Sequence, residues 1–84
     1  MARNTTEDEF KRTVKQLRQD LVDAGMADGE AALDIGVSLP TFKGWADGSR
    51  VPRQKNCDMY MDEIDRFRRE KLQKKLKNAR GLND

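Results

Sequence analysis

An 84-residue chain with 36% hydrophobic and 38% charged residues holds one small core beneath a heavily charged surface. The absence of histidine and the single cysteine, Cys57, exclude an internal disulfide, histidine-activated nucleophiles and the common His/Cys zinc sites, so no enzyme, metal or cofactor is expected. The net charge of +2 is an average over acidic and basic zones, and no stretch approaches the roughly 20 apolar residues of a membrane span.

Thr6 and Glu9 stand at the spacing of a capping box. Phe10, Val14, Leu17 and Leu21 then recur at helical intervals, which predicts an amphipathic helix from about Glu7 to Ala24, stopped by Gly25. A second helix opens near Asp28, read as its cap, turns Ala31, Ala32 and Ile35 inward and ends at Gly36. Ser38 caps a third, with Pro40 in its first turn and Leu39 on its boundary. Phe42 and Trp45 share one face of that helix and are read as core. Leu39, Pro40, Lys43 and Gly44 are read as the outward face, and Gly48 closes the helix. From about Arg53 or Asn56 the chain is helical again to about Asn78, with Cys57, Tyr60, Met61, Ile64 and Phe67 in one stripe. Cys57 is read as an inert core thiol.

A helix, a short turn with glycine and a second helix form a helix-turn-helix unit. Such a turn needs a small residue where the helices cross, a residue tolerant of positive φ and an apolar plug; Ala32, Gly36 and Val37 meet these needs. On Ala32, Gly36-Val37-Ser38, Phe42, Trp45, Gly48 and Pro52, residues 28–52 resemble the lambda-repressor/Cro-like DNA-binding domains. The resemblance implies that residues 39–46 are a recognition helix for the major groove. Asp28 departs from the glutamine or threonine that often opens the first helix of that unit, and the recognition helix lacks the usual Gln, Arg or Asn.

The expected fold is therefore all-α: about four helices with a long, charged C-terminal helix. Residues 1–65 are read as the helix-turn-helix domain and residues 66–84 as a basic helical extension. The candidate DNA-binding residues are Ser38, Leu39, Pro40, Thr41, Lys43, Ser49, Arg50, Arg53 and Lys55. Leu39 and Pro40 can pack on thymine methyls, Lys43 can reach a base or phosphate, and the residues after Gly48 can meet phosphates. The run 66–80 carries eight basic residues against Glu70 alone and is too charged to read as core. It is a solvated projecting helix, a dimer seam through Leu72 and Leu76, or a DNA-backbone contact.

The function expected from these features is sequence-specific transcriptional regulation. The small size and the lack of a sensor domain suit a phage or mobile-element protein. The implied partners are double-stranded DNA, a second copy of the chain and RNA polymerase. The lone cysteine and the lack of an apolar leader suit the cytoplasm. Two rivals stand beside this reading: a protein-interaction module that has lost DNA binding, and a DNA-bending recombination accessory factor.

Overall fold

The computed structural model describes residues 4–79, and Arg80, the last residue of the basic run, lies outside them. The helices are α1 (Glu7–Ala24), α2 (Asp28–Ile35), α3 (Leu39–Asp47), α4 (Gln54–Phe67) and α5 (Gln73–Ala79). A π-helical segment, Arg68–Leu72, joins α4 to α5 without a break. No strand occurs among the described residues, and none of their helices is long and apolar enough to cross a membrane.

The predicted capping box opens α1: Thr6 Oγ1 accepts from the Glu9 N–H at 3.1 Å, and Glu9 Oε1 accepts from the Thr6 N–H at 3.3 Å. The cap of α2 differs from expectation. Ala27 is the N-cap and Asp28 is already helical. The side chain that satisfies this helix end belongs to Glu30, whose Oε2 accepts from the Ala27 N–H at 2.9 Å. Asp28 instead faces Arg18 of α1, 3.4 Å away. Leu39 likewise lies inside α3 as its first residue. Pro40 follows it where no intrahelical donor is required.

The expected apolar faces of α1 to α4 meet in one core: Phe10, Val14, Leu17 and Leu21 from α1, Ala31, Ala32 and Ile35 from α2, Phe42 and Trp45 from α3, and Cys57, Met61, Ile64 and Phe67 from α4. Trp45 is its hub. Its ring stands edge-on to Phe10, with centroids 5.0 Å apart, and tilts against Tyr60 at 4.9 Å. Thr5 ties the start of the chain to α4, donating its N–H to Asp58 Oδ1 at 3.0 Å and accepting from Gln54 Nε2 at 2.6 Å. Farther along, Arg68 meets Asp20 of α1 at 2.7 Å, so α1 and α4 run side by side in the same direction.

The segment after Asp65 continues α4 as the expected long C-terminal helix, but its place in the core corrects the sequence reading. Leu72 is fully buried in the common core, and Leu76 packs against it. Leu72 is therefore not available to a dimer seam, and the helix lies on α1 rather than projecting. The reason is the π-segment. Phe67 and Leu72 are five residues apart, which in a regular α-helix turns Leu72 about 140° away from the face of Phe67. The Gln73 N–H donates to the Arg68 carbonyl, five residues back, and this wider turn brings Leu72 round to the core. Ion pairs then line the seam. Arg66 reaches Glu63 at 2.8 Å, Glu70 at 3.2 Å and the Asp34 carbonyl at 3.0 Å, while Lys71 meets Asp34 Oδ1 at 2.7 Å. Hydrogen bonding to Glu63 first, then the fields of Asp34 and Glu63, raises the pKa of Arg66, keeping it charged. Partly exposed pairs of this kind are worth at most about 1 kcal/mol each. Burial of a leucine is worth about 1.5–3 kcal/mol, so Leu72 is the larger single anchor.

Leu72→Ala is expected to destabilise the protein by about 2–5 kcal/mol in urea denaturation, as for a core leucine. A change within about 0.5 kcal/mol, the range of surface substitutions, would show that the segment is not part of the folding unit.

Candidate nucleic-acid interface

The turn between α2 and α3 is built as its residues require. Gly36 has φ of 93°, and its N–H and that of Val37 both donate to the Ala32 carbonyl at 2.9 Å. Only a residue without a Cβ takes this conformation cheaply, and the two bonds close the end of α2. Ser38 caps α3: its Oγ accepts from the Thr41 N–H at 3.3 Å and its hydroxyl donates to Thr41 Oγ1 at 2.8 Å. Ser38 and Thr41 are thus occupied with each other, and their first role is to hold the start of α3.

Phe42 and Trp45 are buried as expected. Leu39, Pro40 and Lys43 are exposed on the opposite side, with Asp47 one turn beyond Lys43. Leu39 is 39% exposed, so it belongs partly to the surface ridge and partly to its base. Gly44 does not belong to that outward face. It is buried under the side chain of Arg50, and a Cβ built on it would lie 2.7 Å from Arg50 Cδ and 3.1 Å from Arg50 Cβ. The Gly44 carbonyl accepts from the Arg50 N–H at 3.1 Å and lies 3.4 Å from the Ser49 hydroxyl. Gly44 is the floor on which the loop after α3 folds back. This lays the stem of Arg50 across the helix and leaves its residue exposed at the edge of the ridge.

Ser49 also donates its N–H to Asp47 Oδ1 at 2.8 Å. Hydrogen bonding from the Ser49 side chain, then from this N–H, holds the Asp47 carboxyl below its ordinary value of 3.8. The fields of Arg18 and Arg50 act in the same direction. Arg53 and Lys55 are exposed at the entry of α4, where Arg53 is the N-cap. The structure therefore puts Leu39, Pro40 and Lys43 on one ridge, Arg50 along its edge and Arg53 and Lys55 beyond the loop. Ser38, Thr41 and Ser49 serve the backbone. Cys57 is buried, and burial, with Asp58 and Glu7 adding, pushes its thiol pKa up, as expected of an inert core thiol.

Sequence reasoning missed one set of residues. Lys11, Arg12 and Lys15 of α1 line a shallow depression with Ala46 of α3 and Gly48, which closes that helix. They lie in the half of the chain where acids outnumber bases, so a segment average conceals them. Their spacing at i, i+1 and i+4 was a usable signal, because it gathers cations on one side of a helix.

No protein-family model, curated protein or solved structure matches this chain.

Two outcomes are expected at the loop. Gly44→Ala should lower the urea midpoint, by about 1–3 kcal/mol in stability, because the added methyl displaces Arg50 from its Cβ outward. A raised midpoint, the usual result of glycine to alanine in a helix, would mean that Arg50 does not pack there. Second, NMR titration should find Asp47 below 3.8 and shifted upward in Ser49→Ala. Since the folded state has the lower pKa, the bonds of this carboxylate contribute above 3.8 and are lost as pH falls through the folded value.

Proposed function

We propose that this chain is a sequence-specific DNA-binding regulator of transcription, of the lambda-repressor/Cro-like type, that acts by occupying its site. In this reading α3 lies in the major groove. Leu39 and Pro40 pack on thymine methyls, Lys43 reaches a base or phosphate, and Arg50, Arg53 and Lys55 hold the backbone. The observation that carries it is the α2–Gly36–α3 turn. Its second helix buries Phe42 and Trp45 and leaves an exposed ridge bearing Lys43, with Arg50 laid along its edge. Apolar readout is weak per contact: one buried methyl is worth about 0.8 kcal/mol. Several thymines and sequence-dependent DNA shape are therefore needed for specificity. The partners in this reading are double-stranded DNA, a second copy on a half-site about 34 Å away and, for an activator, RNA polymerase. In this reading the compartment is the cytoplasm and the regulator is carried by a phage or mobile element.

A second reading, a protein-interaction surface, is favoured by Leu33, which is 83% exposed on α2 beside the same turn. Selection from a pool of random duplexes, followed by shift assays at two salt concentrations, decides between them. Enrichment of a thymine-containing motif is expected. Arg50→Gln keeps the Cβ and Cγ methylenes that lie on Gly44 and removes the charge. It should weaken binding to all duplexes alike and lower the salt slope by about one unit. An unchanged slope would remove Arg50 from the backbone contacts. No retention of any duplex at low salt would overturn the DNA reading in favour of a surface centred on Leu33.

A further inference from the structure

The ridge of α3 has cations on both flanks. Successive residues of a helix turn by about 100°, so residues on either side of the core direction set by Phe42 and Trp45 face opposite flanks. Gly44 turns to one flank and carries Arg50. Ala46 turns to the other, where it borders the depression shared with Lys11, Arg12 and Lys15, and a neighbouring one shared with Lys15 and Arg18. Lys43 and Asp47 lie between the two flanks.

Not all of these cations are equally available. Lys11 lies 3.4 Å from Glu7, and Arg18 lies 3.4 Å from Asp28. The side-chain amides of Gln16 and Gln19 donate to Asp20 and Asp23. Arg12 and Lys15 are exposed, and among the described residues neither has an acidic partner. Together with Gln16 and Gln19 they line a third shallow depression on the same side of α1. Asp47 stands at the rim of the first, beside the C-terminal end of α3, and both its charge and that helix end repel an anion. The seat for an anion is therefore on the α1 side, at Arg12 and Lys15.

We infer that the outward face of α1, centred on Arg12 and Lys15, is a second phosphate-binding surface that grips the DNA strand across the groove from Arg50. The inference rests on the DNA reading above and adds a site to it. The scale fits. Packed helices lie about 8–10 Å apart, and the major groove is about 12 Å wide. A helix lying in that groove has a phosphate wall on each side. Its packed neighbour brings long cationic side chains to one wall while the loop after α3 reaches the other. The ligand class is the phosphate backbone of a duplex. The contact sets register and affinity and carries no sequence information.

The test uses the full chain and the selected duplex, comparing wild type, Arg12→Gln/Lys15→Gln and Arg50→Gln. Both α1 residues are exposed, so an unchanged urea midpoint is expected for the double variant. Its affinity should fall severalfold at low salt and its salt slope by about two units. Ethylation interference should lose its signal on the strand across the groove from the phosphates lost in Arg50→Gln. If the double variant keeps the wild-type slope and interference pattern while Arg50→Gln weakens binding, the α1 surface is overturned and the DNA reading stands. If wild type retains no duplex, both fall. If the double variant binds DNA normally but loses binding to polyglutamate, the face takes acidic protein instead, and the inference is overturned.

Discussion

Trp45 determines which way α3 faces. A nine-residue helix does not hold its own shape in water, so its orientation has to come from packing. The indole is 3% exposed, edge-on to Phe10 of α1 and tilted on Tyr60 of α4. Aromatic pairs in such geometry contribute about 0.5–1.5 kcal/mol beyond the area they bury, and their angular preference resists rotation of the helix. With Trp45 turned in, Lys43 is turned out, and Gly44 falls under the loop that returns from Gly48. The Gly48 N–H closes on the Trp45 carbonyl at 3.3 Å, so the same residue also ends the helix. The ridge, its length and its Arg50 edge all follow from one buried ring.

The long last helix completes this core from the other side. The run 66–80 reads as lying outside the core because of its charge, and its two leucines also fall off the stripe of α4. The π-segment changes the phase of the helix by about one residue, and the phase change is what a five-residue gap between Phe67 and Leu72 requires. The gap was visible in the sequence. Its meaning was not, because the same spacing also describes a helix that has left the core.

Burial of that segment redistributes the charge. Arg66, Arg68 and Lys71 are matched by Asp34, Asp20, Glu63 and Glu70, so part of the most basic run in the chain is neutralised within the protein. Two of these partners, Asp20 and Asp34, come from α1 and α2, in the part of the chain where acids outnumber bases. Among the exposed charges of α1, Arg12 and Lys15 stand next to α3 and, among the described residues, have no acidic partner. Net charge along the sequence and charge across a folded surface are different quantities, since helices sort residues by azimuth and packing pairs them across elements.

The sequence by itself determined the local structure. The Thr6–Glu9 box, the stops at Gly25, Gly36 and Gly48, the cap at Ser38 and the apolar periodicities of α1 to α4 depend on neighbours within four residues, and each is where its pattern implies. The exposed ridge of Leu39, Pro40 and Lys43 was legible for the same reason, as the complement of Phe42 and Trp45. The tertiary structure alone decided the rest. Asp28 pairs with Arg18 instead of capping its helix, Gly44 lies beneath Arg50, Leu72 enters the core, and Arg12 and Lys15 stand on the flank of α3 opposite Arg50. Each of these joins residues distant in the chain or depends on the phase between two elements. That information enters only when the helices pack, because a side chain's partner across a core is set by crossing geometry and not by its own neighbours.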